Sequence, residues 1–235
     1  MSAALELRDV RAGYGRIEIL RGISLTVPSG SVVALLGPNG VGKTTTLRAI
    51  SGTLPVTTGS ITLAGRRIDN RRPSAIARQG VVLVPEGRGI FPALTVEDNL
   101  RVAHRSAQGV PWHQWFDEIA SVFPRLAERR SQLAGSLSGG EQQMLAVCRS
   151  MVGDPRVGMF DELSMGLAPL VVEELFGRVA ALRDAGRTIV LVEQHLTYAL
   201  ELADLCYVLA KGQVAWAGEP AELRRSGATA TLLPT

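Results

Sequence analysis

The residues with the clearest chemical purpose are Gly37-Pro38-Asn39-Gly40-Val41-Gly42-Lys43-Thr44, which fit the phosphate-loop pattern G-x-x-x-x-G-K-[ST]. The glycines let backbone N–H groups close around a polyphosphate without Cβ clashes. Lys43 brings a full charge to the β- and γ-phosphates, and the Thr44 hydroxyl is a ligand for Mg²⁺. More than a hundred residues later, Phe160-Asp161-Glu162 sets two carboxylates at the end of an apolar run. Beside a phosphate loop, Asp161 suits the anionic partner of Mg²⁺, direct or through water. Glu162 suits the group that orients and deprotonates an attacking water, a role worth about 10²–10⁴ in rate. His195 follows another apolar run and is a candidate γ-phosphate contact. Tyr14 stands between Gly13 and Gly15, uncovered by neighbouring bulk; a ring so placed can stack on adenine for about 1–3 kcal/mol, or be a plain surface tyrosine. Ser138 with Glu141 three residues on is a capping box. Gly139 and Gly140 would also leave helix N-terminal N–H groups open to a phosphate.

Regular elements must hold these groups. Ser31–Leu36 is apolar and β-branched, a buried strand entering the loop, and Thr44–Ile50 carries no breaker and reads as the helix leaving it. Strand, glycine-rich turn and helix is the setting the motif needs, with the helix dipole adding positive character at the phosphates. Leu5–Val10 and Ile23–Val27 alternate as strands; Ser60–Leu63 and Arg66–Ile68 read as a hairpin around Ala64-Gly65, and Ser74–Gln79 as a short helix. Further buried strands are expected at 80–84, 156–162 and 188–192, a proline-started helix from Ala168-Pro169 to Gly186, a hairpin around Lys211-Gly212, and a last helix at 219–225. From Thr95 to Met151 the pattern turns helical, with Trp112, Trp115, Phe116 and Phe123 at mostly helical spacing, which suits packing better than a cofactor box. The expected architecture is an α/β nucleotide-binding core from 1–86 and 154–235, with a helical subdomain inserted at 87–153.

Composition narrows the setting. The 235 residues are 46% apolar but only 5% aromatic, so the core is aliphatic, and a net charge of +3 with arginines in scattered pairs argues for a solvated surface over a nucleic-acid stripe. Cys148 and Cys206 have no metal-type spacing and suggest a reducing compartment. No apolar run reaches the ~18 residues of a membrane span, and the first residues do not form a signal peptide. A cytoplasmic chain that reaches a membrane only through embedded partners is expected.

Taken together, Tyr14, the Gly37–Thr44 loop, Leu137-Ser138-Gly139-Gly140-Glu141-Gln142-Gln143, Asp161-Glu162 and His195 stand in an order that resembles the ATP-binding cassette (ABC) ATPases. The resemblance covers nearly the whole chain. It implies a P-loop NTPase (ABC ATPase) core with an antiparallel β subdomain and an inserted helical subdomain. It implies ATP and Mg²⁺ as ligands, with Lys43, Glu162 and His195 catalytic. The nucleotide would be held by Tyr14, Gly37, Pro38, Asn39, Gly40, Val41, Gly42, Lys43, Thr44, Thr45, Glu86, Ser138, Gly139 and Gly140, and the metal by Thr44, Glu86 and Asp161. It also implies a head-to-tail pair of cassettes, identical or distinct, with each ATP between one chain's loop and the other's Ser138–Gly140. The remaining implied partners are transmembrane permease subunits and, indirectly, a periplasmic or extracellular substrate-binding protein, with no nucleic acid and a location peripheral to the inner face of the cell membrane. Val84-Pro85-Glu86-Gly87-Arg88, Leu94–Leu100, Gly166-Leu167-Ala168-Pro169 and Val192-Glu193-Gln194 resemble the importer branch for branched-chain amino acids, whose close relatives serve urea or short amides. A soluble cassette acting on ribosomes or nucleic acid is the competing class, and an exporter a third. Three departures stand out: Glu86 where most of the family has glutamine, although glutamate is usual in this branch; Leu163 where proline is usual; and Gly158 in a run normally bulky. Leu163 would perturb the loop beside Glu162, and Gly158 would weaken its strand.

Overall fold

Two sheets of opposite character account for the burial pattern of the chain. The computed structural model describes residues 2–104, 111–150, 155–193 and 196–225. In order, these form β1 (Ala3–Tyr14), β2 (Ile17–Pro28), β3 (Val32–Leu36), α1 (Lys43–Ile50), β4 (Val56–Leu63), β5 (Arg66–Arg67), α2 (Pro73–Ala77) and β6 (Val81–Val84). Next come α3 (Val96–His104), α4 (Trp112–Val122), α5 (Pro124–Glu128), a 3₁₀ turn at Ala134–Ser136 and α6 (Gly139–Ser150). The chain continues through β7 (Val157–Asp161), α7 (Pro169–Asp184), β8 (Ile189–Val192), α8 (Leu196–Leu202), β9 (Leu205–Ala210), β10 (Gln213–Gly218) and α9 (Pro220–Arg225).

The six-stranded sheet runs β10-β9-β3-β8-β7-β6, parallel except for the antiparallel edge strand β10. Every residue of β3, β7 and β8 is buried, as expected for strands covered on both faces. Alternate side chains of β3 part between two cores: Val33 and Leu35 face one, Val32, Ala34 and Leu36 the other. The antiparallel sheet β2-β1-β4-β5 closes the first core with α1. Helices α3–α6 pack on the second core together with α7 and α8.

The aromatic group around α4 is packing, as its spacing predicts. Trp115 and Phe123 are buried, and Trp112 lies 5.5 Å from Trp115 and 5.3 Å from Phe116, ring centre to ring centre. The hairpins at Ala64-Gly65 and Lys211-Gly212 form as expected, the latter with φ of 51° and 79° at its two turn residues. Strands β1, β2 and β4 run longer than the alternation indicates. The β1–β2 ladder shifts register between Leu7 and Val10, where Asp9 takes φ 46°, so inward and outward positions exchange there. Gly59 makes this possible in β4: a Cβ on it would stand 2.3 Å from the Asp9 carbonyl. Gly158 does not break β7, whose ladder runs unbroken from Val157 to Asp161 against β6 and β8.

Candidate nucleotide-binding site

β3 delivers the phosphate loop to the end of the central sheet, and α1 leaves it. Two glycines there take backbone conformations that a side chain would strain. Gly37 has φ 147° and a Cβ would lie 2.6 Å from the Leu209 carbonyl; Gly42, at the N-cap of α1, has φ 111° and a Cβ would meet Leu20 at 2.8 Å. Lys43 is buried and folds back over the loop, its Nζ donating to the carbonyls of Gly37 (2.7 Å) and Pro38 (3.0 Å). Burial holds its ammonium below the usual lysine value, against the pull of Glu162, Asp161 and Glu193. Lys43, Thr44, Thr45, Asn39, Gly40 and Gly42 share one open cavity of about 430 Å³ with Tyr14, Glu86 and Glu162.

Adjacent strands bring the acids in. β7 ends at Asp161, which accepts a hydrogen bond of 3.1 Å from the Thr44 hydroxyl across 117 residues of sequence. Its carboxyl is pushed up to about 6, chiefly by burial. The Thr44 hydrogen bond opposes this, the charges of Glu162 and Glu86 add to it, and Arg48 pulls the other way. A hydroxyl against an anion that its surroundings disfavour, with two more carboxylates near, is a donor set suited to a hard divalent cation. Glu162 takes φ 51° and its N–H donates to Val192 (2.9 Å), which turns the chain sharply out of the strand.

A clamp lies beneath this turn. Glu193, fully buried after β8, accepts from the Ser164 amide (3.1 Å) and the Ser164 hydroxyl (2.6 Å). Leu163, which follows Glu162, is wholly buried in the second core. Leu163 thus anchors the turn in the core beside the clamp. The only hint of the clamp was an acid directly after an apolar strand.

Tyr14 ends β1 at the cavity rim, with its hydroxyl accepting from Arg48 Nη1 (2.9 Å). Ser138, Gly139 and Gly140 stand elsewhere, at the N-terminus of α6, and among the described residues they do not line this cavity. The capping box forms reciprocally: the Glu141 carboxylate accepts from the Ser138 amide (2.9 Å) and hydroxyl (2.8 Å), and the Glu141 amide donates back at 3.3 Å. Burial would raise the Glu141 carboxyl, but the Ser138 hydrogen bonds and the charges of Arg129 and Arg125 outweigh it and hold it below the ordinary range. His195 lies outside the described residues.

The family model described as ABC transporter matches residues 20–164. The chain is 40% identical over 210 residues to the high-affinity branched-chain amino acid transport ATP-binding protein BraG of Pseudomonas aeruginosa, covering 89% of this chain and 90% of that one. It is 37% identical over 220 residues to the probable branched-chain amino acid transport ATP-binding protein LivF of Archaeoglobus fulgidus, covering 92% and 93%. Among solved structures, an ATP-binding subunit of an ABC transporter superposes with a TM-score of 0.84 at 28% identity, covering 99% of this chain and 95% of that one. A nucleotide-free ATP-binding cassette gives 0.85 at 23% identity, covering 99% and 98%, a likeness of fold.

Proposed function

The chain belongs to the ABC transporter family of ATPases, and from that premise we propose that it hydrolyses ATP to drive uptake of branched-chain amino acids through a membrane permease. Cassettes of this family bind nucleotide, dimerise and work with transmembrane partners. The cargo rests on the likeness to two branched-chain amino acid transport ATP-binding proteins, at 40% and 37% identity. A peripheral place on the inner membrane face follows from that role, as does an external binding protein that delivers cargo to the permease. Among the described residues, no helix is long and apolar enough to cross a membrane.

One observation supports the mechanism: Lys43, Thr44, Glu86 and Glu162 line one cavity from elements far apart in sequence, with Asp161 hydrogen-bonded behind Thr44, while Ser138–Gly140 do not line it. In this reading the loop amides and Lys43 hold the β- and γ-phosphates, and Tyr14 stacks on the base. Mg²⁺ fits at Thr44, Asp161 and Glu86, where it would neutralise phosphate charge. Glu162 accepts a proton from the water that attacks the γ-phosphorus, and the bond to the bridging oxygen of ADP breaks. A partner's Ser138–Gly140 completes the cage, which the chain's own residues do not line. ATP is then interfacial glue that hydrolysis dissolves, a ligand-driven two-state switch.

Glu162→Gln tests this reading. It should bind ATP, lose at least 100-fold in turnover, and accumulate as an ATP-locked dimer by light scattering; wild-type turnover refutes the base assignment. For cargo, disrupting the gene should abolish uptake of labelled leucine, isoleucine and valine, with rescue by the wild type and not by E162Q. Loss of urea uptake alone would transfer the chain to the amide importers.

A further inference from the structure

The loop after β6 is tied to α6 by a contact that none of the roles above uses. Three consecutive residues, Gly87, Arg88 and Gly89, have φ of 86°, 74° and 63°. The left-handed region is natural for the glycines and strained for Arg88. Its side chain gives the reason the conformation holds. The Arg88 guanidinium donates to Gln142 Oε1 at 2.5 Å, in the first turns of α6. The other face of the Gln142 amide donates to the carbonyls of Ala134 (3.2 Å), Gly135 (3.4 Å) and Leu137 (3.2 Å), the segment that leads into Ser138. The guanidinium lies against Gly139, where a Cβ would stand 3.0 Å from Nη2. Two turns further along α6, Arg149 donates to the Gly89 carbonyl (2.6 Å). The strained loop is thus gripped at both ends of one helix, and its own start, Glu86, lines the nucleotide cavity.

We propose that Arg88 is a positioning residue that holds the Leu137–Gln142 helix start in register with the Glu86 loop. A charge change at one chain's cavity then moves the cap that closes its partner's site. The proposal rests on the sandwich reading above, and it names the part that links the two sites. Arg88 touches no nucleotide in this arrangement; it acts through Gln142. Gly139 is small for the same reason, since a side chain there would displace the guanidinium.

The test uses the full chain in the E162Q background. Arg88→Met keeps the aliphatic stem and removes the donors. Loss of a hydrogen bond to a charged group corresponds to about tenfold or more in an equilibrium. ATP-driven association by light scattering should weaken by at least that factor, while Mg-ADP affinity by calorimetry stays within twofold. Amide hydrogen exchange at residues 137–143 should quicken about tenfold and be largely restored by Arg88→Lys. Gln142→Met should do the same, and the double variant should be no worse than either single one. Arg88→Met that associates like its parent with unchanged exchange overturns the assignment; so does a matching loss of ADP affinity, which would put Arg88 at the nucleotide. If E162Q with Arg88 intact does not associate but Arg88→Met still quickens exchange at 137–143, self-association fails and the Arg88 assignment stands.

Discussion

Asp161 should cost the nucleotide-free protein stability. Its carboxyl titrates at about 6 instead of 3.8 because burial and the neighbouring Glu162 and Glu86 disfavour the anion. Between those values the folded chain holds a proton that the unfolded chain has released, so stability falls as pH rises from about 4 to about 6 and stays lower above. The difference corresponds to about 3 kcal/mol at pH 7.5. Asp161→Asn removes the charge and keeps an acceptor for the Thr44 hydroxyl. In EDTA without nucleotide, urea unfolding should find D161N more stable than wild type by about 2–3 kcal/mol at pH 7.5, which is about 4–12 °C in melting temperature. The gap should close toward pH 4, where both side chains are neutral. ATP turnover should fall by at least 100-fold. A D161N protein that is less stable at pH 7.5, or whose margin does not change with pH, refutes the argument that the site is built around a disfavoured anion.

Tyr14→Ala should weaken ATP binding by about 5- to 150-fold, the worth of one stacked base, and leave tripolyphosphate affinity unchanged; calorimetry with both ligands separates the two. Ser164→Ala removes a buried hydroxyl held at 2.6 Å by the Glu193 carboxylate, which should cost about 2 kcal/mol in urea unfolding. It should also lower turnover more than it raises the ATP concentration for half-maximal rate, since the clamp aligns Glu162 and not the phosphates.

The parts of the site written locally are legible in sequence. The phosphate loop announces its own strand and helix, and Ser138 with Glu141 forms its capping box within four residues. Proline at the start of α7 and Gly186 at its close sit where helix-end chemistry puts them. What escapes is whatever depends on distant backbone. The alternation in β1 stops at Asp9 because the strand bulges against Gly59 of β4, and β4 begins at Val56, four residues before the expected start at Ser60. Helix α8 is short, and its apolar residues Ala199, Leu200 and Leu202 give less than two full turns of pattern. Glu193 and Ser164 lie 29 residues apart and Arg88 and Gln142 lie 54 apart, so neither pair has a spacing that could betray it.

The hydrogen-bonded neighbours of β3 are β8 and β9, paired through Val32 with Ile189 and Val33 with Leu205. A nascent chain therefore presents its lysine-bearing loop long before either flanking strand has been synthesised. At about 5–20 residues per second, roughly 10–30 s of translation separate the two. During that interval the ribosome-bound polypeptide carries the motif without the scaffold that shapes it. ATP can first assist folding only once β9 has been made, and a product that stops before residue 205 holds the whole phosphate loop yet should never capture nucleotide.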